Sequence, residues 1–180
     1  MVGISGSLRK GSYNSALLRE AKRAAPAHGA EIEIVSIADL PLYNTDIEQP
    51  LPDTVKVFKD KVKAADAILI ASPEYNYSVS GVLKNAIDWL SRPPDDVSLK
   101  GKTVAIMGAS PGTLGSGRAQ YHLRQILLSI TGIVLPRPEV IVTLAKDKFD
   151  EQGNLTDEKT REKVSALVNA LVEWVERSQA

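Results

Sequence analysis

Residues 3–15 read GISGSLRKGSYNS, a short apolar segment followed by a loop of glycine, serine and arginine. A segment rich in alanine and leucine begins directly afterwards, near Tyr13, and has the spacing of a helix. Such a loop can surround a phosphate, because glycines let backbone N–H groups approach it and a helix N-terminus faces it with partial positive charge. Arg9 adds a forked cationic donor. The stretch therefore predicts a phosphorylated ligand at the end of the first strand.

Two common nucleotide-binding motifs differ from this loop. Gly6 and Gly11 have the glycine spacing of a Walker A loop, but Ser12 follows Gly11 directly and the motif's lysine is missing. Gly3 and Gly6 are wrongly spaced for the dinucleotide fingerprint Gly-x-Gly-x-x-Gly. Taken alone, the loop also fits an ordinary polar turn between a strand and a helix.

Apolar runs alternate with helical patterns along the chain, which is typical of a parallel sheet with crossover helices. We predict strands at residues 1–5, 31–37, 67–71, 103–108 and 133–143. We predict helices at residues 13–28, 54–65, 80–91, 117–130 and 157–177. The first strand is short, as expected if a few leading residues are missing. The irregular segment 38–53, which has three prolines, is long enough to be a lid or a binding loop.

The patterns within these elements indicate where each one lies. The third strand is apolar throughout, as expected of a central strand buried on both faces. The fifth contains Pro136 and Pro138, which cannot donate to a ladder, so it belongs at an edge. In the last helix, the apolar residues with helical spacing are predicted to be core: Val164, Leu167, Leu171, Trp174 and Val175.

The predicted fold class is α/β, a flavodoxin-like three-layer sandwich with a five-stranded parallel sheet in the order 2-1-3-4-5. This order puts strand five at an edge and strands one and three side by side. The loops after strands one, three and four then converge on one crevice at the carboxyl ends of the strands. Residues 1–180 are predicted to form a single domain.

Composition limits the classes of partner. The chain has 180 residues, with 43% hydrophobic and 24% charged residues, as in a soluble globular domain. Its formal net charge is zero, which argues against nucleic acid or an anionic membrane as the main partner. It has no cysteine, which excludes disulfides and zinc–sulfur sites. No membrane span or signal peptide is evident, so a cytoplasmic location is predicted.

The loops after strands three and four complete the predicted crevice. Residues 72–81 read SPEYNYSVSG, in which Tyr75 offers a stacking face and Asn76 both a donor and an acceptor to a flat heterocycle. Residues 108–118 read GASPGTLGSGR, whose glycines permit close backbone approach without covering a ligand. Each loop alone also fits an ordinary turn. Together, a phosphate, a flat ring and this crevice indicate flavin mononucleotide (FMN).

Three motifs, in this order and with these spacings, resemble the NAD(P)H-dependent FMN reductases. They are residues 6–14 (GSLRKGSYN), 73–76 (PEYN) and 108–112 (GASPG). The nearest resemblance is to the bacterial chromate and quinone reductase branch, which overlaps the azoreductases. It covers nearly the whole chain, including residues 39–44 (DLPLYN) and 118–125 (RAQYHLRQ). Only the short N-terminus departs from the family pattern.

The resemblance implies the site residues. Those matched to the FMN phosphate site are Ser7, Arg9, Ser12, Asn14 and Ser15. Those matched along the isoalloxazine ring are Pro73, Glu74, Tyr75 and Asn76, and Ser110 borders its other edge. The family forms dimers and often tetramers, and a homotetramer is predicted here with dimer left open. Arg118, a cation at a helix start, would find its anionic partner in a polar network between subunits with Tyr121 and Glu139.

The implied reaction is ping-pong. NADPH or NADH passes hydride to FMN, the nicotinamide leaves, and a quinone takes two electrons. Chromate, azo dyes and free flavin are further acceptors, among which the resemblance does not choose. The flavin supplies the chemistry, so no catalytic side chain and no metal are expected, and His122 is expected to be structural.

The main alternative is a flavodoxin-type electron carrier, which binds FMN but has no substrate of its own. Such carriers usually cover both flavin faces with aromatic residues and are strongly acidic. Here residues 108–118 contain no aromatic residue and the net charge is zero, which favours an enzyme with an accessible ring. A flavin-binding protein with vestigial catalysis also stays open.

Overall fold

Strands alternate with helices in the computed structural model, which describes residues 1–130 and 133–179. The strands are β1 (Val2–Ser5), β2 (Glu33–Val35), β3 (Ala67–Ala71), β4 (Thr103–Ala109) and β5 (Val140–Val142). The helices are α1 (Tyr13–Ala24), α2 (Asp53–Ala64), α3 (Gly81–Leu90), α4 (Gly117–Leu128) and α5 (Glu158–Gln179). Short 3₁₀ helices lie at Ala25–His28, Thr45–Ile47 and Ala145–Lys148. No helix within the described ranges is both long and apolar enough to cross a membrane.

All four strand pairs are parallel, and the sheet order β2-β1-β3-β4-β5 confirms the predicted topology. β3 lies at the centre, and all five of its residues are buried. The pairing puts Ser5 of β1 level with Ala71 of β3. The loops that follow these two strands therefore leave the sheet side by side.

Helices cover both faces of the sheet and form two cores. On one face Leu17 of α1 and Leu167 of α5 pack with alternate residues of β3 and β4, such as Leu69. On the other face α2, α3 and α4 pack with the intervening residues, such as Ile68 and Ile70. Alternation of side chains across a strand explains why this strand is apolar at every position.

The end of the first predicted helix is tighter than an α-helix. The α-helical hydrogen bonds stop at Ala24, and residues Ala25–His28 form a 3₁₀ turn containing Pro26. Proline has no N–H to continue the helical ladder. Gly29 then adopts a left-handed conformation with φ 70° and ends the helical segment, directly after the predicted helix at residues 13–28.

The predicted length of the fifth strand is wrong. Only Val140–Val142 pair with β4, and an isolated bridge joins Val134 to Val104 farther back. Pro136 and Pro138 lie between these two contacts, where a residue without an N–H cannot continue the ladder. The predicted edge position is confirmed.

The prediction that Trp174 is core is also wrong. Val164, Leu167 and Leu171 are fully buried, but Trp174 is 37% exposed. Val175, the next residue, is partly buried and packs against the same core as Leu171. The side of α5 that faces the core therefore includes Val175 and leaves Trp174 at its border.

The segment 38–53 is attached to α3. The indole Nε1 of Trp89 donates to the carbonyl of Pro41 at 2.8 Å, and the Tyr43 amide donates to Asn85 Oδ1 at 2.7 Å. The Tyr43 and Trp89 rings meet edge to face, with centroids 5.1 Å apart. These contacts hold the start of the segment on α3.

Candidate functional site

A cavity of about 420 Å³ lies where the three predicted loops meet, at the carboxyl ends of β1, β3 and β4. The first loop and the start of α1 contribute Ser7, Arg9, Ser12, Tyr13 and Asn14. The loop after β3 contributes Pro73, Glu74 and Tyr75, and the loop after β4 contributes Ala109, Ser110 and Pro111. Lys146 completes the lining. The volume of this cavity does not by itself identify the site. A larger groove of about 620 Å³ lies at the opposite end of the sheet and is lined by none of these loops.

Serine hydroxyls organise the first loop. Ser5 Oγ lies 2.9 Å from Ser15 Oγ and accepts from the Ser7 amide at 3.3 Å. Ser12 caps α1, because its hydroxyl accepts from the Ser15 amide at 3.3 Å. Ser15 does not line the cavity and instead supports this loop from the first turn of the helix. The positive end of the α1 dipole therefore faces the cavity across Ser12 and Tyr13.

Asn14 joins α1 to β4. Its Nδ2 donates to the Ala109 carbonyl at 3.1 Å, and its Oδ1 accepts from the Ala109 amide at 2.9 Å. The side chain is buried, so these bonds use most of its hydrogen-bonding capacity and leave one N–H. Asn14 borders the cavity, but its side chain chiefly connects two elements, and its predicted place in the phosphate site stays a prediction.

Two cations line the cavity without an acidic partner. Among residues 1–130 and 133–179, no carboxylate lies within ion-pair distance of Arg9 or Lys146. The Arg9 guanidinium lies 5.2 Å from the centre of the Tyr13 ring, which in turn packs on Phe149 at 5.0 Å. The cavity thus presents unneutralised positive charge beside a helix N-terminus, a combination that suits an anion.

Sequence reasoning missed Lys146 and Tyr13. Lys146 follows β5, and the strand order places the end of β5 at the same edge of the sheet as the other loops. The Ala145 amide donates to the Ser110 carbonyl at 3.1 Å, which holds the segment there. The predicted topology could have identified this position, whereas no short motif marks it.

The loop after β3 makes a tight turn at residues 75–78. The amide of Tyr75 donates to the carbonyl of Ser78 and the amide of Ser78 to that of Tyr75, both at 3.0 Å. Asn76 and Tyr77 have φ angles of 49° and 69°, as in a type I′ turn. Tyr75 lines the cavity and is half exposed, whereas Asn76 is outside the lining.

Gly6 allows the loop after β1 to lie close to the loop after β3. A Cβ built on Gly6 would lie 2.9 Å from Pro73 Cδ, so a side chain there would push the two loops apart. The Gly6 amide donates to the Ala71 carbonyl at 2.8 Å, and Ser80 Oγ donates to the Gly6 carbonyl at 2.5 Å. The glycine is required here by contact with the neighbouring loop.

Glu74 turns its carboxylate toward α4. It forms an ion pair with Arg118 and accepts from the Arg118 amide at 3.0 Å and the Ala119 amide at 3.3 Å. The hydrogen bond that the Arg118 guanidinium donates to Glu74 raises the pKa of Arg118 above its ordinary value. The Arg118 guanidinium also lies 3.6 Å from the centre of the Tyr77 ring. The anionic partner expected for Arg118 is thus found within the chain.

The other residues predicted at a subunit interface lie on the surface. Tyr121 on α4 is 59% exposed. Glu139 forms an exposed ion pair with Arg137 at 3.2 Å. The network between subunits stays a prediction.

The loop after β4 is held closed against β5. The Ser110 amide donates to the Val142 carbonyl at 3.1 Å, and Ser110 Oγ accepts from the Gly112 amide at 3.2 Å. A Cβ on Gly108 would lie 2.4 Å from the Ser72 carbonyl oxygen, so β4 can approach the loop after β3 only without a side chain there. Ser110 borders the cavity, and its predicted contact with the flavin ring stays a prediction.

Neither histidine lines the cavity. His122 on α4 lies with Nδ1 3.1 Å from Ser78 Oγ, and His28 lies with Nε2 2.9 Å from Ser165 Oγ. Both contacts are with serine hydroxyls of neighbouring elements. The contact of His122 fits the structural role expected for it.

Comparisons of the sequence and of the fold with known proteins agree with one another. The model of the NADPH-dependent FMN reductase family matches residues 1–147. An NAD(P)H-dependent FMN reductase of Pseudomonas aeruginosa is 51% identical over 178 residues, covering 98% of this chain and 95% of the relative. A quinone reductase of Escherichia coli is 43% identical over 180 residues, with coverage of 98% and 95%.

A solved structure has the same fold over almost its whole length. It is FerB of Paracoccus denitrificans, described as a flavoenzyme NAD(P)H:(acceptor) oxidoreductase, with a TM-score of 0.89 and 38% identity. The match covers 98% of this chain and 96% of that one.

Proposed function

The chain belongs to the NADPH-dependent FMN reductase family, and from this premise we propose that it binds FMN, oxidises NADPH or NADH and reduces quinones. The observation that supports this most directly is the cavity in which three loops bring together a helix N-terminus, two unpaired cations and an exposed aromatic ring. A phosphorylated ligand with a flat ring fits this arrangement.

The phosphate of FMN is assigned to the first loop. Ser7 and Ser12 offer hydroxyls, Arg9 offers a forked cation and the α1 N-terminus offers backbone N–H groups. Ser15 and Asn14 support this loop through the bonds described above. The set consists of donors and cations only, which is the chemistry that a phosphate dianion requires.

The isoalloxazine ring is assigned to the space between the loop after β3 and the loop after β4. Pro73, Glu74 and Tyr75 line one side with backbone and aromatic surface, and Ser110 lies on the other side. Asn76, which is outside the cavity lining, is assigned to the ring edge through the backbone of the turn. Because residues 108–118 contain no aromatic residue, one ring face is left accessible to a second molecule.

When bound, FMN supplies the redox chemistry: it can accept a hydride and deliver two electrons. The chain binds and orients the ring, and none of its side chains is assigned a proton-transfer role. An accessible face suits a nicotinamide and then an acceptor in alternation, so we assign a ping-pong order. Chromate, azo dyes and free flavin are proposed as further acceptors at the same face.

The first experiment is an anaerobic visible spectrum of the purified protein with FMN. We expect NADPH to bleach the flavin bands and benzoquinone to restore them. Bands that NADPH leaves unchanged would instead favour a flavodoxin-type carrier. If FMN does not bind at all, the proposed function is wrong.

Steady-state kinetics test the finer assignments. Varying NADPH at several fixed quinone concentrations should give parallel double-reciprocal lines, and intersecting lines would contradict the ping-pong order. The same assay with NADH, chromate, an azo dye and free FMN ranks the alternatives by kcat/KM. The predicted homotetramer, cytoplasmic location and single domain of residues 1–180 stay predictions.

A further inference from the structure

We propose that Glu74 and Arg118 are positioning residues, which hold the turn at residues 75–78 against the ring side of the cavity and thereby set the affinity for the flavin ring. The inference rests on the proposed function, since the ring is that of bound FMN. It also assigns Glu74 a role through its carboxylate that is separate from its place in the cavity lining.

The turn needs support from outside itself. Asn76 and Tyr77 both have positive φ angles, a conformation that asparagine tolerates but that is unfavourable for a bulky residue such as Tyr77. Two hydrogen bonds between Tyr75 and Ser78 close the turn but do not fix its direction relative to the cavity. Contacts with a rigid neighbouring element are therefore required to keep Tyr75 at the lining.

Helix α4 supplies that neighbour through Glu74. The Glu74 side chain is 5% exposed, and its carboxylate accepts from two backbone amides at the start of α4 while pairing with Arg118. Ser116, the N-cap residue of α4, makes no capping bond with its side chain. Glu74 thus caps α4 from a distant loop, and the bond ties the loop to the helix.

The same helix contacts the far side of the turn. The Arg118 guanidinium stacks on the Tyr77 ring, and His122, one helical turn later, contacts Ser78 Oγ at 3.1 Å. Arg118 and Tyr77 are not part of the cavity lining. These two residues therefore act on ligand binding indirectly, through Glu74 and the turn that they hold.

Ring and phosphate contributions can be separated with two ligands. FMN and riboflavin share the isoalloxazine ring and differ by the phosphate. Weakening the turn should raise the Kd of both ligands by the same factor, because only the ring contact is affected. A residue that binds the phosphate should affect FMN alone.

The experiment compares Glu74→Gln, Arg118→Ala, Arg118→Lys and Tyr77→Leu with the wild-type chain. We expect Glu74→Gln and the two Arg118 variants to raise the Kd of both FMN and riboflavin about tenfold, as loss of a charge-assisted hydrogen bond would do. Tyr77→Leu removes only the cation–π contact and should raise both Kd values about threefold. The visible circular dichroism of bound flavin should change as well. Lysine should not rescue Arg118, because it lacks the planar fork that stacks on Tyr77 and pairs with Glu74.

Arg23→Ala is the matched control. Arg23 pairs with Glu20, whose side chain is also largely buried at 12% exposure, but the pair lies on α1 away from the turn. Its Kd values should equal those of the wild type. Sedimentation of every variant separates an effect of the turn from an effect of subunit dissociation.

Three results would overturn the inference. These are unchanged Kd values and dichroism in Glu74→Gln and Tyr77→Leu, a loss confined to FMN, or a loss found only in dissociated samples. If Glu74→Gln does not fold, the exposed Tyr77 position decides the matter. Failure of the wild-type chain to bind either flavin would instead refute the proposed function and this inference with it.

Discussion

At the scale of single residues, Arg9 best illustrates how the surroundings of a side chain indicate a ligand. It lines the cavity, stacks near Tyr13 and has no acidic partner among the described residues. Glu74, by contrast, has its charge balanced by Arg118. The positive charge available to an anion therefore comes from Arg9 and Lys146.

Replacing Arg9 with alanine should weaken the binding of FMN and leave riboflavin almost unaffected. Charge-assisted hydrogen bonds contribute about 1.5–3 kcal/mol, which corresponds to about a tenfold to hundredfold rise in Kd. Fluorescence titration with both flavins measures this. Lys10→Ala is the control, since Lys10 is an exposed cation of the same loop outside the cavity lining. Equal FMN affinity in Arg9→Ala and the wild type would remove Arg9 from the site.

At the scale of elements, the site depends on close contact between neighbouring strands and loops. Gly108 lets β4 lie against the loop after β3, where a Cβ would meet the Ser72 carbonyl oxygen at 2.4 Å. Farther from the site, Lys59 of α2 connects to the end of α3. Its ammonium donates to the carbonyls of Trp89, Arg92 and Asp96.

Gly108→Ala should destabilise the fold by about 3 kcal/mol, because the added methyl group would clash with the Ser72 carbonyl oxygen and the Ser116 side chain. Gly81→Ala is the matched control: its Cβ would meet nothing within 4 Å, and alanine is the better helix former. Urea unfolding measures both variants. Comparable stability in the two variants would show that β4 shifts to accept the methyl group.

Lys59→Met should destabilise the chain, and the difference from the wild type should grow with pH. Burial lowers the pKa of Lys59 below its ordinary value. In the pH range between that lowered pKa and the ordinary lysine value, the unfolded state binds more protons, so wild-type stability rises with pH. The variant lacks this contribution. Urea unfolding of both proteins at neutral and alkaline pH tests this prediction. A stability difference between wild type and variant that shrinks as the pH rises would contradict the predicted direction of the pH dependence.

At the scale of the whole molecule, exposed apolar residues along α4 and just before it form a candidate contact surface for the predicted oligomer. Leu114, Tyr121 and Leu128 are each more than half exposed, and they lie on α4 or in the loop that precedes it. Helix α4 also contacts the turn beside the cavity. A second copy that covers this helix would therefore lie close to the site.

Tyr121→Ala should shift the protein toward smaller species at low micromolar concentration. Tyr121 tests the interface more cleanly than Arg118, whose loss also frees Glu74 within the chain. Sedimentation velocity measures the shift, with Trp174→Ala on the opposite face of the sheet as control. An unchanged profile in Tyr121→Ala would count against the predicted network.

Local patterns in the sequence were sufficient to predict the topology and the three loops of the site. The apolar run at Ala67–Ala71 indicated a central strand, and Pro136 and Pro138 indicated an edge. Both conclusions follow from backbone hydrogen bonding and side-chain alternation, which act over a few residues. Because parallel strands end at one edge of a sheet, the order of strands also placed the loops together.

Only the tertiary structure decided which side chains meet across those loops. Glu74 and Arg118 are 44 residues apart, and the bonds from Asn14 to Ala109 join residues 95 apart. Trp174 has the spacing of a core residue, but its exposure depends on which side of α5 faces the sheet. Pairings of this kind depend on the relative placement of whole elements, about which the local pattern of a sequence holds no information.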